Sequence, residues 1–173
     1  SCKWWGPDRH IVIYYVNPRR DEVYFVTSTP EPDFAVESWS EEGDLSVLKA
    51  AYAEFHPIVR AVLDACPRVH KWALFERDPM PWWHEGPVAL LGDACHPMTP
   101  YMAQGAAQAI EDAAVLSRCL HGAEREAVSE ALARYESTRK PRTSRIARIS
   151  SLNDMQKIKA EIAGVYGYDA WTA

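Results

Sequence analysis

The sequence has no cysteine pair at redox or metal-binding spacing. Its four cysteines, Cys2, Cys66, Cys95 and Cys119, are scattered along the chain. That excludes a disulfide framework and points to reduced thiols in a cytoplasmic protein. The six histidines form no HExxH arrangement, so a metal site is not expected. No apolar run is long enough to span a membrane, and no leader pattern opens the chain. Positive charge is not in excess: 19 Lys and Arg stand against 24 Asp and Glu, for a net charge of −5. Nucleic acid and anionic membrane are therefore not expected partners. Repeats and low-complexity tracts are also lacking.

What is present is globular. Forty-seven per cent of the 173 residues are hydrophobic, with 7 Trp and 8 Tyr, enough for a sizeable core in one domain or two small lobes. The chain opens on Ser1 and enters a strand pattern within its first residues, which reads as a fragment of something longer.

Two segments rich in β-branched and aromatic residues, "HIVIYYVN" and "EVYFVTST", flank the turn signal "PRRD" and predict a β-hairpin. Asp44 or Ser46 is placed to cap a helix over "LSVLKAAYAEF". Pro57 opens a second helix that stops before Pro67. "RVHKWALFE" reads as a strand, "DPMPWWHEG" as a connector, and "PVALLG" as a short strand buried on both faces. The chain ends in a long helical pattern, "SEALARYESTRKPRTSRIARISSLNDMQKIKAEI", with Pro141 as a kink or break. On it, Arg139, Lys140, Arg142, Arg145 and Arg148 form a basic patch, read as a solvated face or as internal salt bridges.

The most informative stretch is "GDACHPMTPYMAQGAAQAIEDAAVL", from Gly92 to Leu116. A stiff loop with Pro97 and Pro100 leads into an alanine-rich helix starting near Gln104. Gly105, Ala106 and Ala107 keep its first turn small. The unpartnered N–H groups and positive end of the macrodipole there suit a ligand rich in negative charge or carbonyl oxygens. Gln108, Glu111 and Asp112 fall together on a polar side. Asp93 ends the apolar strand, where ligands gather in open α/β sheets. On these grounds alone, alanines chosen only for packing explain the stretch equally well. Cys95 beside His96 has no third residue to orient a nucleophile.

This stretch resembles the second flavin-binding motif of the group A, FAD-dependent aromatic hydroxylases: GD-small-small-HP, a proline, a small-Gln-Gly-small segment, and a helix carrying Glu-Asp. "RDPMPWWHEGPVALL" before it and "ARYESTRKPR" after it fit the same family. The branch it is most similar to is salicylate-hydroxylase-like. "WWGPDRHIVIYYV" and "YGYDAW" carry a narrower resemblance to 6-hydroxynicotinate 3-monooxygenases. Cys95 stands where the family usually has Ala, and Ala103 where Gly is frequent. The family's Rossmann GxGxxG and its internal Asp-Gly motif do not occur, so the chain resembles the C-terminal half of such an enzyme.

The resemblance implies an α+β fold. A substrate-binding sheet with helices would occupy 1–82, a second flavin-binding segment 83–122 and a C-terminal helical region 123–173. The N-terminal Rossmann unit would be supplied by the missing N-terminal half. The implied activity is hydroxylation, with decarboxylation, of a small aromatic carboxylate of the 6-hydroxynicotinate or salicylate type. NADH reduces FAD, and oxygen is activated as a C4a-hydroperoxyflavin. Asp93 would hydrogen-bond the FAD, Gln104, Gly105 and Ala106 would face the flavin, and His96, Pro97 and Pro100 would wall the reaction site.

His10 and Tyr14 lie four apart in a strand and share a face, with Val12 between them. Such a face either meets solvent or lines an aromatic pocket. The substrate sheet implied by the resemblance favours the pocket, with His10 accepting or relaying the ring hydroxyl's proton and Tyr14 bonding a substrate oxygen. The alternative for the whole chain is a packing or binding module that is catalytically inactive and holds no flavin by itself.

Overall fold

The computed structural model describes all residues except 32, 35, 39, 76, 152–163 and 173. The last part of the long helical pattern read from the sequence therefore lies outside the described residues. The chain divides into two compact units, Ser1–Ala73 and Leu74–Ala173. This division falls ahead of the one drawn after residue 82, and the segments 83–122 and 123–173 belong to a single unit.

The first unit is a three-stranded antiparallel sheet backed by two helices. Strands β1 (Cys2–Trp5), β2 (His10–Tyr15) and β3 (Val23–Ser28) pair in sequence order. The predicted β2–β3 hairpin forms. Its turn closes with Val16 N–H donating to the Glu22 carbonyl at 3.2 Å, and Arg20 adopts a left-handed φ of 61°. Alternation sends Ile11 and Ile13 to one face, where they are buried with Tyr52, Val59 and Leu63. Those three come from the helical layer of α1 (Leu45–Ala51), α2 (Pro57–Ala65) and the residues between them. The caps follow the sequence. Asp44 Oδ1 accepts from the backbone N–H of Ser46 at 2.7 Å, and Pro57 opens α2. The expected strand over "RVHKWALFE" shrinks to β5 (Val69–His70), because its partner β4 (Glu42–Gly43) offers only two residues to pair with.

The second unit is mainly helical. Its only strands among the described residues are β6 (His84–Glu85) and β7 (Val88–Ala89), a hairpin turned at Gly86 with φ +54°. The strand expected to be buried on both faces is therefore not seen in that form: Val88 is 66 % exposed. A two-residue hairpin has no neighbouring strands to extend its ladder. Helix α3 (Gly105–Leu120) packs against α4 (Val128–Ser151). Trp83, Cys95, Val115 and Tyr135 form one core cluster, and Met102, Ile146, Ile149 and Val165 another. Pro141 does not break α4. Pro141 and Ser137 are both exposed, so the carbonyl that loses its intrahelical donor faces water.

Candidate flavin-binding segment

The turn that carries Asp93 begins at Gly92, whose φ of +62° is costly for any residue with a side chain. A Cβ there would also stand 3.2 Å from the Cβ of Ala109 on α3. The turn closes when His96 N–H donates to the Gly92 carbonyl at 3.0 Å. Asp93 points outward and is exposed. After a second short turn at Pro100–Met102, Ala103 takes a left-handed φ of 52° and α3 starts. Gln104 is the N-cap residue but makes no side-chain capping bond.

Asp93 and Gly105, twelve residues apart in sequence, come together here. A Cβ built on Gly105 would meet Asp93 Oδ1 and Met98 Cγ, each at 3.9 Å. The glycine backbone, a carboxylate and a helix N-terminus without a side-chain cap therefore lie side by side. Ala106 and Pro100 are exposed at the same end, and Pro97 is partly buried. This donor and acceptor set fits a polyhydroxylated, carbonyl-bearing group such as FAD. Gln104 and His96 differ from their neighbours. Both side chains are buried, at 5 % and 1 % exposure, and His96 packs its ring against Trp83 with centroids 5.1 Å apart.

The polar side of α3 expected from the sequence is its inward side. Gln108 and Asp112 are fully buried, while Ile110 is 70 % exposed. The polar residues face α4, which brings arginines to meet them. Arg139 donates from Nε to Asp112 Oδ1 at 2.7 Å, from NH1 to Glu111 Oε2 at 2.6 Å and from NH2 to Gln108 Oε1 at 2.8 Å. Arg142 donates twice to Glu111, at 2.7 and 2.9 Å, and its guanidinium lies 3.8 Å from the Tyr168 ring centroid. Of the two readings of the basic patch, Arg139 and Arg142 follow the internal salt bridge. Burial raises the pKa of Asp112, but hydrogen bonds and charge from His96 and Arg139 outweigh it and hold the carboxyl below its ordinary value. Glu111 is likewise held down, against desolvation, by Arg142 and Arg139.

Cys95, His96 and Asp112 bring one ligand atom each within 4.8 Å of one another, the one such group among the described residues. The geometry opposes a metal: both Asp112 oxygens are already engaged, by Arg139 Nε at 2.7 Å and by the Gly92 N–H at 3.1 Å. Burial, then the Asp112 charge, pushes the metal-free Cys95 thiol up to about 12. The same protonated, buried thiol disfavours a nucleophilic role.

In the first unit, His10 and Tyr14 lie on the sheet face opposite Ile11 and Ile13, with Val12 between them. His10 is partly buried. Its Nδ1 lies 2.9 Å from Ser28 Oγ, and its ring stacks on Trp5 with centroids 4.8 Å apart. Desolvation, then the Lys3 charge, lowers its pKa. Tyr14 is 38 % exposed, its ring 5.4 Å from that of Tyr24. Sequence reasoning missed Ser28 and Trp5. Both become visible only through the register, which sets Trp5 and Ser28 opposite His10 on either side.

A family profile described as FAD binding domain matches residues 5–150. The chain belongs to this FAD binding domain family. It is 44 % identical over 170 residues to 6-hydroxynicotinate 3-monooxygenase of Bordetella bronchiseptica, covering 98 % of this chain and 44 % of that protein. The enzyme of the same name from Pseudomonas fluorescens is 43 % identical over 169 residues, again covering 98 % and 44 %. A solved salicylate hydroxylase substrate complex superposes with a TM-score of 0.73 at 22 % identity, over 95 % of this chain and 46 % of that one, which establishes the fold alone. The chain spans less than half the length of these relatives. Family membership accords with the resemblance of the Gly92–Leu116 stretch to a flavin-binding motif. Among the described residues, no helix is long and apolar enough to cross a membrane.

Proposed function

We propose that this chain is the C-terminal portion of an FAD-dependent, NADH-using monooxygenase that hydroxylates, with decarboxylation, a small aromatic carboxylate of the 6-hydroxynicotinate or salicylate type. Bound FAD, reduced by NADH, supplies the activated oxygen. Asp93 accepts hydrogen bonds from the FAD hydroxyls, and the first turn of α3, at Gly105 and Ala106, donates backbone N–H groups toward the flavin carbonyl edge. Pro97 and Pro100 stiffen the wall of the site. His96 and Gln104 support the wall from behind, since both side chains are buried. On the sheet face, His10 takes the proton of the ring hydroxyl and Tyr14 holds the resulting oxyanion. Loss of that proton pushes electron density into the ring and makes it a better nucleophile.

The observation that carries this reading is the convergence of Asp93 with Gly105 at the uncapped start of α3. In the complete enzyme, Asp93→Ala removes a charge-assisted hydrogen bond worth roughly 1.5–3 kcal/mol, so FAD should dissociate more readily while substrate affinity holds. FAD release, followed by its fluorescence, and substrate titration of the same variant provide the test. Unchanged FAD affinity with impaired substrate binding would remove Asp93 from the flavin role.

A further inference from the structure

Among the described residues of the second unit, Asp112 is the one fully buried carboxylate, and the flavin reading leaves it without a role. It lies about two turns into α3 and is completely buried. Its Oδ1 accepts from Arg139 Nε at 2.7 Å. Its Oδ2 accepts from the Gly92 N–H at 3.1 Å and lies 2.5 Å from His96 Nε2. Gly92 and His96 are the two ends of the turn that displays Asp93. One side chain therefore grips both ends of that turn. It cannot swing aside, because Arg139 is itself tied to Glu111 and Gln108. Nor is there slack between the turn and the rest of α3, where a Cβ on Gly92 would sit 3.2 Å from Ala109.

We propose that Asp112 is a positioning residue of the flavin site: anchored from α4 by Arg139, it sets the separation between the Asp93-bearing turn and the first turn of α3. The inference rests on the reading of Asp93 and Gly105 as FAD contacts. Asp112 is closed off from any ligand and acts through the turn. What matters at this position is side-chain length as well as charge. Glutamate keeps the charge opposite Arg139 but adds one methylene, a C–C bond of about 1.5 Å, between α3 and the turn. A displacement of that order is enough to misplace a binding group.

The test uses the complete enzyme with FAD and three variants: Asp112→Glu, Gly92→Ala and, as reference, Asp93→Ala. Two quantities are measured for each: the FAD dissociation constant, well below the melting temperature of the flavin-free protein, and that melting temperature itself. Asp112→Glu should raise the dissociation constant about tenfold to a hundredfold, the equivalent of a lost charge-assisted hydrogen bond. Gly92→Ala leaves every charge in place and pushes the turn away from α3 at Ala109. It should weaken FAD in the same direction, and it carries the test if Asp112→Glu does not fold. A role confined to holding the fold would lower the melting temperature and leave the dissociation constant of the folded enzyme at its wild-type value. That result, with Asp93→Ala still weakened, overturns the positioning role alone. A wild-type constant in Asp93→Ala overturns the flavin reading beneath it.

Discussion

The two units hold their polar groups in opposite ways. In the second, the Asp112–Arg139–Glu111 cluster is sealed: Asp112 and Arg139 are fully buried, and both Asp112 oxygens and all three Arg139 guanidinium nitrogens have partners at hydrogen-bonding distance. In the first, His10 and Tyr14 sit on a sheet face in partial contact with solvent, supported from the side by Ser28 and aromatic rings. The sealed cluster is suited to holding backbone in place, because every charge in it is compensated and none can reorient cheaply. On the proposed reading, the open face is where a ligand's proton would be handled, because it is partly exposed. Both sets look equally polar in the sequence.

The strongest way to break this contrast is to remove Arg139. Arg139→Ala leaves Asp112 buried without its arginine countercharge, while the partly exposed Glu111 keeps Arg142. It should cost about 3–5 kcal/mol of stability, the range for breaking a buried ion pair by removing one partner. Urea unfolding of the wild type and variant measures this. A loss under about 1 kcal/mol would show that the cluster is exchangeable with solvent like any surface pair.

Next in size are the open-face residues, and the expected effect is on turnover. In the complete enzyme, His10→Ala or Tyr14→Phe should spare FAD content and lower turnover by roughly 10²–10⁴-fold, as for lost general acid–base help. More of the NADH consumed should then end as hydrogen peroxide. The ratio of hydroxylated product to NADH consumed is the measurement. Wild-type turnover and coupling in both variants would return the two residues to packing.

The smallest effect is in the pH dependence of stability, where the units separate by pH window. Asp112 and Glu111 have folded-state pKa values below their unfolded ones. Their contribution is complete above the unfolded values near 4 and is lost as pH falls through the depressed folded values. His10 also has a lowered pKa, but as a base held neutral. Its contribution is complete above the unfolded value of about 6.5 and declines as pH falls from there through its folded value. Melting temperatures should therefore drop slightly as pH falls below about 6.5 and more steeply below about 4. His10→Gln should flatten the first part and leave the second.

Much of this was legible in the sequence, and for identifiable reasons. Asp44 and Pro57 mark helix starts through bonds and dihedrals that span only a few residues. The β2–β3 hairpin follows from strand formers flanking a turn signal, and the shared face of His10, Val12 and Tyr14 from the two-residue period of any strand. The 25-residue flavin motif could be read because its residues are contiguous. The failures share a cause as well. The strands expected over "RVHKWALFE" and "PVALLG" depended on ladder partners that local sequence does not name. Periodicity placed Gln108, Glu111 and Asp112 together on one side of α3, but period alone does not say which side faces in.

By itself, then, the sequence determined the local elements, the family and the order of the flavin segment, all of which depend on near neighbours along the chain. Only the tertiary structure decided that the polar side of α3 is its buried side. That choice came from Arg139 and Arg142, more than twenty residues downstream, whose guanidinium groups supply the countercharge that lets carboxylates leave water. Only it set Ser28 beside His10 and Asp93 beside Gly105, because strand register and the crossing of a turn over a helix are properties of packing.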